Sequence, residues 1–286
     1  MTDANMITRR RAFSFAAGAA AATLAATTAG AATRDGARPL AGKVAIVTGA
    51  RANLGRRFAE TLGAEGADVV VHFHREETRG EAEETARLVE AAGGRATLVS
   101  GDLGRSETVT RVYDTAERAF GGIDIVVNNA GAIIKKPVAE FTDADFERLD
   151  AVNNRGLFYS LREASRRLRD GGRIINIATS LLAGAAPGYA GYAGTKAPVE
   201  EYTRMLAKEI GSRGITVNSV APGPVDTPFF HGQETEQSAA FAAGLAVEGR
   251  LGVVDDIAPL VAFLAGPQAQ WVNGQTLWVN GGYVTR

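Results

Sequence analysis

The chain has no cysteine in 286 residues. That absence removes disulfides, thiol nucleophiles, cysteine-type zinc sites and iron–sulfur clusters together. Histidine is scarce: His72, His74 and His231 are the only three. No H-E-x-x-H occurs, so a metallohydrolase lacks its ligands and no metal site is expected. No G-x-S-x-G occurs either, and His231 has no evident nucleophile, which sets a serine hydrolase aside. There is no basic excess. Lys and Arg number 31 against 32 Asp and Glu, a net charge of −1, so neither nucleic acid nor an anionic membrane surface is an expected partner. What remains is a globular composition, 45% hydrophobic and 22% charged, long enough for one large α/β domain or two small ones.

The first thirty residues differ from the rest. Arg9-Arg10-Arg11-Ala12-Phe13 leads into an alanine-rich stretch from Phe13 to Ala32, with Ala29-Gly30-Ala31 in the small-x-small form of a cleavage site. Charged start, apolar middle and small-residue end read as an export signal over residues 1–31, followed by a linker over 32–41. Arg10-Arg11-Ala12-Phe13 resembles the twin-arginine signal, which carries folded proteins across the bacterial inner membrane to the periplasm. The alternative is a plain Ala-rich tail, or a mis-assigned start, on a cytoplasmic protein. A lasting membrane span is not expected, because Ala and Thr dominate and Leu24 is the only leucine there.

From residue 42 onward, short β-branched runs alternate with helical segments. Strands are read at Lys43–Thr48, Asp68–Phe73, Ala96–Ser100, Ile123–Asn128, Arg173–Ile177, Ile215–Val220 and Gln275–Val279. Helices are read at Leu54–Ala64, Glu76–Ala92, Ser106–Phe120 with Ser106 as N-cap, Asp143–Leu168 capped by Thr142, Tyr192–Ser212 and Ile257–Ala265. Residues from Pro222 to about Arg250 read as loop. Such alternation implies right-handed βαβ units. The expected fold is α/β, a doubly wound Rossmann fold, with residues 42–286 as one domain around a mainly parallel seven-stranded sheet.

The turn Thr48-Gly49-Ala50-Arg51-Ala52-Asn53-Leu54-Gly55 leaves the first strand and opens the first helix. Glycines there let backbone approach a pyrophosphate, and the helix N-terminus supplies N–H donors and a favourable dipole. The spacing resembles the T-G-x-x-x-G-x-G cofactor turn of the short-chain dehydrogenase/reductase family, with Asn53 in place of the middle glycine, as in pteridine reductases. After the second strand, NAD-binding domains place an acidic residue on the ribose. Here His72-Phe73-His74-Arg75 stands instead, similar to the His-Tyr-His-Arg of the pteridine reductases, and no carboxylate comes before Glu76. A 2′-phosphate suits Arg75 and Arg51, so NADP is favoured over NAD. Glu76 turning inward is the alternative. The resemblance assigns adenine contacts to Asp102 and Leu103. Asn128-Asn129-Ala130-Gly131 matches the family's N-N-A-G.

Tyr192-Ala-Gly-Thr-Lys196 matches the family's Y-x-x-x-K. Carbonyl reduction needs a hydride on carbon and a proton on oxygen. A phenol with a pKa near 10 is a poor proton carrier until a cation steadies its anion. Residues i and i+4 share a helix face, so the two can serve one site. The resemblance adds Asn153 as the helix asparagine that holds a proton-relay water. It also adds a substrate-orienting hydroxyl: counting favours Thr179, residue type favours Ser180. In Ala221-Pro222-Gly223-Pro224-Val225 it implies backbone contacts to the nicotinamide from Pro222, Gly223 and Val225, with Thr227 near the phosphates. The likeness spans residues 42–286 and implies NAD(P)-linked interconversion of a carbonyl compound and an alcohol. Alternatives are a non-catalytic nucleotide binder, or a reductase of C=N or C=C bonds such as those of a pterin. Phe229, Phe230, Phe241 and Leu245 fall where the family places a substrate lid. Family likeness also implies subunits paired through the long helices, as homodimer or homotetramer. An exported enzyme of this kind is expected to carry a tightly held nucleotide with it.

Overall fold

A computed structural model describes residues 38–285. The segment expected to be an export signal and most of the expected linker lie outside them. Residues 38–41, read as linker, pack onto the domain instead. Leu40 is buried in the core, and Arg38 donates from Nη1 to Gly93 O at 2.8 Å.

Seven strands form one sheet: β1 Val44–Val47, β2 Asp68–Phe73, β3 Ala96–Ser100, β4 Ile125–Asn128, β5 Arg173–Ile177, β6 Thr216–Pro222 and β7 Thr276–Val279. Their order is β3-β2-β1-β4-β5-β6-β7. Every pairing is parallel, where a mainly parallel sheet was expected. Such a sheet must be covered on both faces, and alternate strand residues serve the two layers. Ala45, Val47, Val69, Val71, Ile125 and Val127 face one cluster, completed by Phe58 and Leu62 of α1 (Asn53–Ala64), Val89 of α2 (Arg79–Ala91) and Val261 of α10 (Val254–Ala265). Val44, Ile46, Val70, Val126 and Ile174 face the other, with Val112 of α3 (Ser106–Phe120), Leu161 of α5 (Leu157–Arg167) and Leu206 of α7 (Pro198–Ile210). Full burial of each large side chain contributes about 1.5–3 kcal/mol.

Several segments depart from the sequence reading, among them the helix expected from Glu76, whose first turn, Glu76–Thr78, is a 3-10 turn before α2. The helix expected over Asp143–Leu168 is α4 (Asp143–Asp150), a π-helical turn at Ala151–Gly156, then α5. Thr142 caps it through a capping box with Asp145, as expected. The helix expected over Tyr192–Ser212 begins at Ala190 and divides into α6 (Ala190–Lys196) and α7. Pro198 divides it, because proline has no N–H to bond back to Gly194. The expected loop after Pro222 holds α8 (Pro228–His231) and α9 (Glu236–Gly244). Ser106 is not the cap of α3: Arg105 holds that position with no side-chain cap bond, and Asp102 Oδ1 accepts from Gly104 N at 2.9 Å in the preceding turn.

The order in which the chain adds strands reverses between β1 and β4, since β1 pairs with β2 on one side and β4 on the other. Open parallel sheets bind ligands in the crevice at such a point, beyond the carboxyl ends of the strands. Just beneath it runs a buried polar chain. Tyr113 Oη donates to Ser160 O (2.8 Å), Ser160 Oγ to Asn128 Oδ1 (2.6 Å), Asn128 Nδ2 to Asn176 Oδ1 (2.9 Å), and Asn176 Nδ2 to Thr203 Oγ1 (2.9 Å). The chain ties β4, β5 and three helices together directly below the crevice, with each buried group satisfied.

Candidate active site

The crevice is a cleft of about 990 Å³ running over the ends of β1, β4, β5 and β6. At one end lies the glycine turn. Gly49 has φ +64° and Asn53 has φ +53°, the only positive φ at a non-glycine among the described residues. Asn tolerates the left-handed region better than other side chains, so Asn53 keeps the turn that a glycine would make. Gly55 cannot be replaced, because a Cβ there would collide with the Gly49 carbonyl and with Asn129 Nδ2. The turn is stapled to the loop after β4: Thr48 Oγ1 accepts from Asn129 N and Ala130 N, both at 3.0 Å, and Asn129 Nδ2 donates to Thr48 O at 2.9 Å.

His72 braces the same turn from below. Its Nδ1 accepts from Gly49 N at 3.2 Å, and Nε2 meets Gly101 O at 2.9 Å. Burial drives its pKa down to about 4, so the ring is neutral and donates from Nε2. His74 and Arg75 are exposed at the rim, with Arg51, Leu54, Asp102 and Leu103 also lining the cleft. Arg51 is ion-paired with Glu81. Glu76 turns aside to Ser100 and Arg79 and does not line the cleft.

At the other end, α6 presents Tyr192 and Lys196, both buried. Lys196 Nζ donates to Ile177 O at 2.7 Å. Burial pushes the phenol of Tyr192 up to about 12 and pulls the ammonium of Lys196 down to about 8. Hydrogen bonding by Thr179 opposes the shift of the phenol. Charging the phenol is therefore costly unless a cation stands by, and Lys196 lies one turn further along the same helix.

The π-helical turn carries Asn153 into the interior. An extra residue per turn rotates a side chain off the regular helical face, a feature frequent at functional sites. Asn153 Oδ1 accepts from Ala132 N (2.9 Å), and Nδ2 donates to Ala132 O (2.9 Å) and Thr195 Oγ1 (3.0 Å). It clamps the loop segment after Gly131 to α6. A Cβ on Gly131 would lie 3.3 Å from Asn153 Oδ1 and 3.5 Å from Lys196 Nζ. The missing side chain is what lets backbone sit between these two polar groups.

Of the two hydroxyls left open by sequence, Thr179 is the one whose hydrogen bonding acts on the phenol. Ser180 Oγ donates to Ala221 O at 3.1 Å and ties the turn after β5 to β6. The cleft is closed by Pro222, Gly223, Val225 and Thr227. Gly223 N donates to Val279 O at 3.0 Å and Thr227 Oγ1 to Val225 O at 3.3 Å, which fixes the loop's backbone. Among the described residues no group of His, Asp or Glu could hold a metal, and no helix is long and apolar enough to cross a membrane.

A family model described as enoyl-(acyl carrier protein) reductase matches residues 49–284. A short-chain type dehydrogenase/reductase of Picea abies is 44% identical over 86% of this chain and 93% of its own length. The hydroxynaphthalene reductase-like protein Arp2 of Metarhizium brunneum is 39% identical over 87% and 97%. A solved dehydrogenase of Burkholderia cenocepacia with bound NADP superposes with a TM-score of 0.84 at 39% identity, covering 87% of this chain and 96% of that one.

The chain belongs to the short-chain dehydrogenase/reductase family. It is an NAD(P)-dependent oxidoreductase on a single seven-stranded Rossmann domain. In this short-chain dehydrogenase/reductase, the cleft residues that escaped the sequence reading include Lys135, Tyr189, Glu234 and Tyr283. Lys135 Nζ lies 2.5 Å from Glu234, which also accepts from the Tyr189 hydroxyl. Lys135, Tyr189 and Glu234 join the loop after β4, the approach to α6 and the segment between α8 and α9. No local pattern announces a contact between positions about a hundred residues apart. Only the short spacing from Tyr189 to Tyr192 hinted at a shared site.

Proposed function

We propose that this enzyme is an NADP-linked carbonyl reductase in which Tyr192 gives a proton to the substrate oxygen. The observation that carries the reading is the buried Tyr192–Lys196 pair with the Thr179 hydroxyl beside the phenol. At neutral pH the buried phenol is protonated and the ammonium still charged, so the acid is loaded and its anion has a partner.

The cleft suits a nicotinamide dinucleotide: Gly49, Gly55 and Gly131 leave backbone bare where a Cβ would touch or collide. Its adenosine end offers Arg75, with Arg51 nearby, and Glu76 is turned away, which favours a 2′-phosphate over free ribose hydroxyls. The Burkholderia relative solved with NADP supports the same choice. When bound, the reduced nicotinamide supplies the hydride, two electrons to the carbonyl carbon. Tyr192 supplies the proton to the oxygen, Lys196 steadies the phenolate left behind, and Thr179 donates to the oxygen as charge builds on it. Asn153 fixes the loop and helix that set these groups apart.

The test follows nicotinamide absorbance over a panel of ketones and aldehydes with both cofactors. Tyr192→Phe is expected to lose on the order of 10²- to 10⁴-fold in kcat. Full turnover by that variant overturns the proposal.

A further inference from the structure

The end of the cleft around Tyr192 is walled by rings. Tyr189 and Phe229 stand edge-on to Tyr192, with centroids 6.3 Å and 6.4 Å away and interplanar angles of 62° and 63°. Phe241 of α9 lines the same cleft. Phe229 is 38% exposed and Phe241 69% exposed, so two phenyl faces are left in water at the mouth of the site. A bound molecule that covers them recovers the free energy of that exposed apolar surface.

The charged groups Lys135 and Glu234 at this end are spent on one another. Lys135 and Glu234 neutralise each other at 2.5 Å, and Glu234 also takes the Tyr189 hydroxyl. Lys136, on the same loop, is likewise paired at 2.5 Å with Asp145. An anionic substrate would have to break such pairs to be recognised. A neutral one needs only the rings.

We propose that the substrate is a flat, uncharged aromatic ketone whose ring system lies against Tyr189, Phe229 and Phe241 while its carbonyl meets Tyr192. This rests on the carbonyl-reductase reading and adds the substrate class to it. Aromatic walls reward an aromatic guest beyond area alone, because edge and face of the ring quadrupoles attract; each good pair adds roughly two- to tenfold in affinity. A saturated ring of the same size gains only the burial.

The matched probes are 1-tetralone and 1-decalone, which share a ten-carbon bicyclic skeleton and the carbonyl position. Their affinities are measured by calorimetry on the full chain loaded with NADP⁺, where no reduction can occur. The aryl ketone is expected to bind about tenfold tighter. Phe229→Leu and Phe241→Leu keep apolar bulk, remove one ring each, and alter exposed positions that the fold tolerates. Each is expected to move the ratio toward parity. Equal or tighter binding of 1-decalone to the wild type overturns the proposal, as does a preference untouched by both substitutions. Turnover is read separately with NADPH. If neither ketone is reduced while the aryl preference holds, the reductase reading fails and the ring-binding site stands. If both are reduced with no aryl preference in affinity, the substrate class fails alone.

Discussion

Lys196 hangs from the carbonyl oxygen of Ile177, its Nζ donating at 2.7 Å. Ile177 ends β5, and Thr179 follows two residues later. One strand end therefore anchors the Lys196 ammonium and leads directly to the Thr179 hydroxyl. Precision of this kind comes from regular elements held by packing, because the backbone of a central parallel strand cannot shift without breaking two ladders of hydrogen bonds.

The pH profile of reduction follows from that burial. The ammonium of Lys196 titrates near 8, while the phenol of Tyr192 stays protonated until about 12. As pH rises through 8 the lysine loses its charge and the phenolate loses its partner, while the acid itself remains loaded. The kcat/KM for reduction is expected to hold below pH 8 and to fall about tenfold per unit above it. A rate flat to pH 10 in buffers of constant ionic strength rejects the role given to Lys196.

Thr179 and Ser180 make a second discrimination. Thr179→Val is expected to lose on the order of a hundredfold in kcat, the worth of one donor aimed at a developing oxyanion. Thr179→Ser should restore most of it. Ser180→Ala breaks the bond to Ala221 O and is expected to cost about 1 kcal/mol of stability with little change in kcat. Kinetics with the reverse ranking transfer the substrate contact to Ser180.

Much of this was written in local pattern. β2 and β3 fall where the β-branched runs stand, because period and residue type agree there. Tyr192, Lys196 and Asn129 line one cleft, while Asn153 lies outside its lining with its amide on Ala132 and Thr195. The misses have physical causes. The π-helical turn at Ala151–Gly156 leaves the composition helical and changes only the hydrogen-bond step. α9 has its apolar and small residues spread around the helix, with none buried, so no periodicity marks it. The hydroxyl at the phenol could not be chosen by counting, since Thr179 and Ser180 are adjacent and only the direction of each side chain separates them. His72 read as part of a cofactor-selecting run, yet its ring serves two backbone groups beneath the turn.

Cofactor choice is expected to rest more on Arg75 than on Arg51. Arg51 already shares its charge with Glu81, whereas no ion pair is made by Arg75 among the described residues. Arg75→Ala should raise the KM for NADPH roughly ten- to hundredfold, the loss of a charge-assisted hydrogen bond, and leave that for NADH nearly unchanged. Arg51→Ala should do less. Equal loss with both cofactors removes Arg75 from 2′-phosphate recognition.

His72 gives the fold a specific sensitivity to acid. Its Nδ1 accepts from Gly49 N and its Nε2–H is held by Gly101 O, so both ring positions are committed to the neutral form. Burial lowers the folded pKa from 6.5 to about 4. The unfolded chain takes up the proton near 6.5 and the folded one does not until about 4. Between those values the unfolded state binds more protons, so stability is whole above 6.5 and declines as pH falls toward 4. One group with that shift accounts for about 3 kcal/mol over the window. A protonated Nδ1 also cannot accept from Gly49, which loosens the glycine turn as the acid limit is approached. His72→Gln retains a donor and an acceptor and does not titrate. Urea unfolding at about pH 7 and pH 4.5 should show the variant losing roughly 2–3 kcal/mol less than the wild type between the two conditions. Its KM for the cofactor should rise at neutral pH, because an amide spans the gap between Gly49 and Gly101 less well than an imidazole. Identical acid losses in the two proteins would mean that the imidazole is not held neutral beneath the turn.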